Sequence, residues 1–117
     1  MDLLPNIDVP DVEAAERFYL TASGLTVGRR FGADFVELRG WPVRLYLLRK
    51  DAGTTGAGAG LRRYERHCTP IHPDIVVDDL DAAVALWARA RLSSIRLGTP
   101  PTAASRCSST RSAMVSA

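Results

Sequence analysis

Four residues that could bind or activate a small molecule lie on one side of two consecutive strand patterns. Phe35 and Glu37 alternate with apolar residues in the first pattern, and Arg44 and Tyr46 alternate with apolar residues in the second. An arginine can hold a carboxylate or phosphate through two hydrogen bonds, a glutamate can act as a base, and aromatic walls suit planar ligands. The pattern therefore predicts a small-molecule site, with a cross-strand ion pair between Glu37 and Arg44 as the purely structural alternative.

These residues need a sheet to position them, and the first 50 residues predict one with a single helix. Asp11 is a typical N-cap, and Gly24 follows the last residue of helical periodicity as a typical end. Glycine or Gly-Trp-Pro turns separate the later strand patterns. The predicted order is βαβββ, with strands at residues 3–9, 25–30, 34–39 and 42–48 around the helix.

Residues 51–70 predict a mobile linker, because four of the nine glycines lie between Asp51 and Gly60. The Gly-x-Gly-x-Gly spacing there does not predict a phosphate loop, since no strand leads directly through it into a helix. The basic run from Leu61 to His67 predicts a solvated linker end rather than a nucleic-acid surface.

An internal repeat is the most informative feature of the chain. Residues 9–19 (VPDVEAAERFY) align without gaps on residues 77–87 (VDDLDAAVALW). Extended backward, the alignment pairs Ile7 with Ile75, Asn6 with Asp74 and Leu4 with His72. Each copy predicts one strand and one helix that need the other copy to complete the fold.

The repeated strand and helix, together with the Gly-Leu-Thr-Val segment at residues 24–27, resemble the vicinal oxygen chelate superfamily. This group includes glyoxalase I, bleomycin-resistance proteins, fosfomycin-resistance enzymes and extradiol dioxygenases. The resemblance implies an α+β fold of paired βαβββ units that form a curved mixed sheet, with an incomplete second unit. We expect one domain over residues 1–117, divided into a first unit (3–50), the Gly-rich linker (51–70), the start of the second unit (71–92) and an aberrant tail (93–117).

The tail is aberrant because none of the 13 acidic residues follows Asp81, and residues 93–117 show no periodicity. Permitted codons for Thr102–Ala117, read one frame away, encode GRLALLVDPFGHGFC, which resembles the ending of a second unit. Met114-Val115 forces a glycine in that frame. We interpret the tail as frame-shifted by a mutation or a sequencing error, with a natural low-complexity tail as the alternative.

The resemblance also implies where a divalent metal would bind on the concave face of the sheet. The first-unit ligand position falls on Leu4, which cannot coordinate, and its second-unit equivalent falls on His72, which can. Residues 44–46 contain no carboxylate for the third position. We therefore expect an incomplete metal site with His72 as its candidate ligand, or a His72 that only lines a pocket.

The same concave face implies a set of ligand-binding candidates. Asn6, Asp8 and Asp74 could contribute to an oxygen-rich site. The alternative for the two aspartates is that they are ordinary solvated carboxylates at strand ends. The predicted small-molecule contacts are Asn6, Phe35, Glu37, Arg44, Tyr46 and Asp74. No catalytic residue is assigned.

Three functions follow as hypotheses. The first is a glyoxalase- or bleomycin-resistance-like protein that binds a small molecule without a complete metal site. The second is a metal-dependent lyase, isomerase or dioxygenase that uses His72, with lactoylglutathione-lyase-like or dioxygenase-like chemistry. The third is an inactive product that lacks its final strands.

Composition narrows the partners and the location. A net charge of +2 and 24% charged residues do not predict nucleic-acid binding, and no apolar run predicts a membrane span. Two cysteines without a motif favour free thiols in a cytoplasmic protein. Unfilled sheet edges predict a homodimer.

Overall fold

The computed structural model describes residues 1–56, 58–65, 74–95, 105–107 and 113–116, with side chains described up to residue 92. It contains seven strands and two helices in these ranges. Their order and bounds are β1 (Asn6–Val9), α1 (Val12–Ser23), β2 (Thr26–Arg30), β3 (Phe35–Arg39), β4 (Leu45–Arg49), β5 (Asp74–Val77), α2 (Leu80–Ile95), β6 (Ser105–Cys107) and β7 (Ala113–Ser116). The α+β class and the βαβββ order of the first unit are as predicted.

The first helix begins and ends at the residues that the sequence indicates. Asp11 has an extended backbone and its carboxylate accepts a hydrogen bond of 2.9 Å from the Ala14 amide. Gly24 ends the helix in the left-handed conformation, at φ 63°, which glycine adopts without steric cost. The chain then enters β2 two residues later.

The first unit forms a four-stranded mixed sheet in the order β1-β4-β3-β2. The outer strand β1 is parallel to β4, whereas the β4-β3 and β3-β2 pairs are antiparallel. One face packs against α1 and forms the main core, in which Val36, Leu38 and Leu47 have no exposed surface. The opposite face, called here the outer face, is the one that carries the predicted site residues.

The repeat predicted from sequence is present in the backbone. β5 and α2 occupy the positions that align with β1 and α1, residue for residue at their starts. The Asp79 carboxylate accepts a hydrogen bond of 2.9 Å from the Ala82 amide, which matches the cap at Asp11. The two copies therefore use the same local interactions to begin their helices.

The second unit differs from the first after its helix. Within the described residues two strands follow α2, and they form a separate three-stranded sheet in the order β5-β7-β6. Three strands follow α1 in the first unit, and its last strand β4 runs parallel to β1. Each hairpin reverses the chain direction, so after the two described strands that follow α2, β7 runs antiparallel to β5. This fits the predicted incompleteness of the second unit.

The two units pack through their helices. A second core cluster contains Ala22 of α1 and Ala83, Trp87 and Ala90 of α2. Trp87 is 4% exposed, and the Phe18 ring meets it edge-on with ring centres 5.3 Å apart. Trp87 is thus a core residue, as its position in the repeat indicates.

Three local expectations need correction. The predicted strand at residues 42–48 would place Val43 on the core face with Leu45 by alternation, but β4 begins only at Leu45 and Val43 is 36% exposed. β1 likewise begins at Asn6 rather than at residue 3. The tail, read as aperiodic, contributes the backbone of β6 and β7, which pair with each other and with β5.

The Gly-rich segment has more structure than its composition indicates. Thr55 and Leu61 form a β-bridge, and backbone hydrogen bonds join Gly53 with Arg62 and Gly56 with Gly60. Residues 51–65 are called here the 51–65 hairpin. Within the described part of the chain, no helix is long and apolar enough to cross a membrane.

Candidate functional site

Strand register arranges the outer face into rows across the sheet. Asn6 pairs with Tyr46, which in turn pairs with Glu37, so these three side chains share one row. Asp8, Leu48 and Phe35 form the next row by the same pairing. Because side chains alternate along each strand, both rows point away from α1.

Glu37 lies at the centre of a charged group, called here the Glu37 cluster. Its Oε2 accepts hydrogen bonds from Arg29 Nη2 at 2.8 Å, Arg29 Nε at 3.2 Å and the Tyr46 hydroxyl at 2.8 Å. Its Oε1 accepts one from Arg39 Nε at 2.6 Å. The cluster therefore joins three neighbouring strands, and it pairs Glu37 with Arg29 and Arg39 rather than with Arg44.

The arginines keep this carboxylate charged although its side chain has no exposed surface. Hydrogen bonds from Arg29, opposed by burial and reinforced by Tyr46 and Arg39, lower the pKa of Glu37 to about 2. The same hydrogen bond from Arg29 to Glu37 raises the pKa of Arg29. At neutral pH Glu37 is thus a fixed anion that holds two guanidiniums in place, and a poor general base.

Gly28 leaves the space that this cluster needs. A Cβ at this position would lie 2.5 Å from Glu37 Oε1 and 2.7 Å from Arg39 Nε. The β2-β3 register also shifts between Val27 and Arg30, so that β2 carries one extra residue opposite Glu37. A bulge of this kind redirects a side chain, and here it brings Arg29 onto the outer face.

Three aromatic rings lie side by side on the outer face, and they are called here the aromatic strip. The ring centres of Phe31 and Phe35 are 4.8 Å apart, and those of Phe35 and Tyr46 are 5.4 Å apart. The Arg29 guanidinium lies over the Phe31 ring, 5.2 Å from its centre. Phe31 is 45% exposed, so the strip ends in an accessible ring.

The 51–65 hairpin borders the outer face at the β1 edge. Arg62 Nε donates to Asp8 Oδ2 at 2.8 Å, and the Tyr64 hydroxyl donates to the Lys50 carbonyl at 2.7 Å. Arg62 also donates to the Thr55 carbonyl within the hairpin. Burial raises the pKa of Tyr64, which therefore stays a hydrogen-bond donor at neutral pH.

The structure brings three of the predicted site residues together. The Tyr46 ring contacts the Phe35 ring, and the Tyr46 hydroxyl donates to Glu37. Asn6 lies in the same row as Tyr46, and its side-chain amide donates to the Leu4 carbonyl at 2.8 Å. Arg44 is exposed and directly precedes β4. Asp74 begins β5 in the other sheet, and His72 lies outside the described residues.

Sequence reasoning missed Gly28, Arg29, Phe31 and Arg39. Strict alternation from Val27 would place Arg29 on the core face, and only the bulge reverses that. The pair Gly28-Arg29 in a strand pattern was the available indication, since a glycine inside a strand often marks a bulge. Phe31 belongs to the turn after β2, and the alternation of side chains along a strand does not predict which way a side chain in a turn points.

Within the ranges that the structure describes, no group of three or more His, Cys, Asp and Glu side chains is placed to hold a metal ion. On the outer face both oxygens of Glu37 already accept hydrogen bonds from arginines. Asp8 is paired with Arg62. The carboxylates of Glu37 and Asp8 on this face are thus paired with arginine side chains.

Comparison with known proteins gives one match in structure. Neither a protein-family model nor a curated protein sequence matches the chain. The bleomycin-binding protein from bleomycin-producing Streptomyces verticillus, solved as a complex with copper(II)-bleomycin, is similar with 24% sequence identity and a TM-score of 0.45. The match covers 77% of this chain and 63% of that one, so the chain spans less than two thirds of the length of the bleomycin-binding protein.

Proposed function

We propose that this protein binds a small planar molecule on the outer face, in the manner of the bleomycin-resistance proteins that its sequence resembles. The observation that carries the proposal is the aromatic strip with Arg29 stacked at its end. Aromatic rings and a guanidinium over a ring face are groups that recognise flat ligands. The role is binding, and no catalytic residue is required for it.

The exposure of these groups supports a ligand-facing role. Phe31 is 45% exposed and Arg29 is 54% exposed, although both belong to an ordered set of contacts. Tyr46 is 5% exposed and Phe35 is partly buried, so the accessible end of the strip is Phe31 with the edge of Phe35. The bulge and Gly28 hold Arg29 in this orientation at a cost in strand regularity.

The proposed binding does not depend on a metal. Leu4 offers no ligand atom at the first position that the resemblance implies, and Glu37 is committed to arginines. Metal-dependent lyase, isomerase or dioxygenase chemistry through His72 is the competing hypothesis. Metal analysis of the purified protein and of His72→Ala tests it, because a stoichiometric metal lost on that substitution would contradict the metal-free proposal.

Titration with 2-naphthamide, a neutral planar probe, tests the aromatic strip. We expect saturable binding by calorimetry, weakened about fivefold in Phe31→Ala, since a stacked aromatic pair contributes about 0.5–1.5 kcal/mol. Leu86→Ala is the matched control, because Leu86 is 40% exposed on α2. Equal weakening in both variants, or no binding to the unsubstituted protein, would contradict the proposal.

A parallel titration with copper(II)-bleomycin and metal-free bleomycin tests the particular resemblance. Binding that is weakened in Phe31→Ala and retained in Leu86→Ala would make bleomycin a ligand of the outer face. Binding of 2-naphthamide without binding of either bleomycin form would instead separate the planar-ligand site from the bleomycin-resistance type.

A further inference from the structure

Two half-exposed guanidiniums share one buried carboxylate on the outer face. The Arg29 side chain is 54% exposed and donates to Glu37 Oε2, and the Arg39 side chain is 50% exposed and donates to Glu37 Oε1. No other carboxylate of the described residues lies within ion-pair distance of either arginine. The group therefore carries an excess of one positive charge at an accessible surface.

Gly28 allows the two guanidiniums to lie beside each other. A Cβ at Gly28 would lie 2.7 Å from Arg39 Nε, so the Arg39 side chain lies over the place where a side chain of residue 28 would be. Arg29 is the next residue along β2, and the bulge brings it opposite the same Glu37 carboxylate. The two oxygens of one carboxylate thus already join both guanidiniums from the buried side.

The guanidiniums keep N–H groups for which the described residues provide no acceptor. A guanidinium has five N–H groups, and Arg39 commits only its Nε–H to Glu37. Arg29 commits Nε and Nη2, both to Glu37 Oε2. Both terminal nitrogens of Arg39 and Nη1 of Arg29 therefore donate to no residue that the structure describes.

We infer that Arg29 and Arg39 together form a binding site for a phosphate-type oxyanion on the solvent side of Glu37. Phosphate oxygens pair with a guanidinium through two parallel charge-assisted hydrogen bonds. A tetrahedral oxyanion presents oxygens in several directions, so it can accept from both guanidiniums at once. The site goes beyond the proposed function, because Arg39 and the accessible rings of the aromatic strip lie toward opposite ends of β3.

Titration with inorganic phosphate, at an ionic strength held constant with sodium chloride, tests this site. NMR spectra of the arginine Nε–H groups report each side chain separately. We expect saturable shifts at Arg29 and Arg39 and an apparent dissociation constant about tenfold higher in Arg39→Gln, because charge-assisted hydrogen bonds are the stronger ones. Arg30→Gln is the matched control, since Arg30 also belongs to β2, is 52% exposed and pairs with Glu16.

Arg39→Gln leaves the contacts of Arg29 and Tyr46 with Glu37 in place, and a melting curve of each variant checks that it folds. Arg39→Lys is a second variant that keeps the charge but lacks the fork, and it should weaken phosphate binding less than Arg39→Gln. Shifts that do not saturate, equal shifts at Arg30, or equal affinity in Arg39→Gln and the unsubstituted protein would overturn the inference. Binding of 2-naphthamide to the same protein would then leave the planar-ligand proposal standing.

Phenyl phosphate distinguishes a free oxyanion from an acidic group on a planar ligand. The Arg29 guanidinium lies 5.2 Å from the centre of the Phe31 ring, so a phosphate held by Arg29 places an attached ring near Phe31. Tighter binding than that of inorganic phosphate, with the gain lost in Phe31→Ala, would support the site as the acidic subsite of a planar ligand. Equal affinity would support a site for a free ion, and failure of both phosphates to bind would overturn the inference.

Discussion

Glu37 is a carboxylate without exposed surface whose charge is retained by the arginines around it. Arg29 and Arg39 donate to separate oxygens and Tyr46 donates to one of them. Burial alone would raise the pKa of Glu37 by favouring the protonated acid. The pKa is instead lowered to about 2, so the hydrogen bonds from Arg29, Tyr46 and Arg39 outweigh the effect of burial. The residue thus fixes the orientation of two guanidiniums on the outer face.

The stability of the protein toward unfolding at acid pH should depend on the Glu37 cluster. The pKa of Glu37 is lower in the folded chain than the ordinary value of 4.5, so its stabilising contribution is complete above pH 5 and is lost as the pH falls toward 2. Urea unfolding between pH 7 and pH 2 should show this loss. In Glu37→Gln the protein should be less stable at pH 7 and its stability should depend less on pH in this window; an unchanged slope would contradict the assignment.

At the residue scale, the sequence predicted which side chains share one face of the sheet better than it predicted which residue forms the ion pair with Glu37. Alternation alone placed Phe35, Glu37 and Tyr46 on one face, because side-chain direction in a regular strand depends only on position. The partner of Glu37 was assigned to Arg44, whereas Arg29 takes that place through an extra residue in β2. Bulges depend on long-range register, which a single strand pattern does not contain.

Among the elements, β2 is the one that shapes the site. It is one of the two outer strands of its sheet, all its residues are exposed, and its bulge brings Arg29 and Gly28 opposite Glu37. An outer strand tolerates such an irregularity because only one of its edges pairs with the sheet. The strand contributes little core and positions the charged end of the aromatic strip.

Gly28→Ala tests the role of the bulge. The added Cβ would lie 2.5 Å from Glu37 Oε1, so the carboxylate must move away from Arg29 and Arg39. We expect a loss of about 1–3 kcal/mol in stability, the usual range for overpacking, and a rise in the pKa of Glu37 measured by NMR titration. Val27→Ala, a truncation of the neighbouring exposed residue, should leave that pKa unchanged; an unchanged pKa in Gly28→Ala would contradict the steric argument.

The helices were the most predictable elements. Asp11 and Asp79 cap α1 and α2 through equivalent 2.9 Å hydrogen bonds, as the repeat predicted. Caps are local, because donor and acceptor lie within one turn of the chain. The 51–65 hairpin was less predictable, since its anchor to the sheet is the long-range pair between Arg62 and Asp8.

At the scale of the whole molecule, the two units share their first strand and helix and differ afterward. Their helices pack together, and the described strands form two separate sheets. In the part of the chain that the structure describes, two strands follow α2, and β7 pairs antiparallel with β5, whereas β4 pairs parallel with β1.

Restoring the alternate reading frame tests the origin of the tail. A chain that continues as GRLALLVDPFGHGFC from residue 102 should complete the second unit, and we expect a melting temperature several degrees higher because more apolar surface is buried. Calorimetric melting of both chains, with light scattering for the proposed homodimer, measures the change. Identical melting and identical ligand binding would reject the hypothesis of an inactive product that lacks its final strands. Source DNA whose codons do not permit that reading would reject the frame-shift interpretation.

The central claim is that the aromatic strip on the outer face receives the ligand. Isotope-filtered NMR on the complex with 2-naphthamide locates the probe directly through proton contacts with protein side chains. We predict contacts from naphthalene protons to the rings of Phe31 and Phe35. Contacts confined to α2, or to the helix-packed core around Trp87, would contradict the claim.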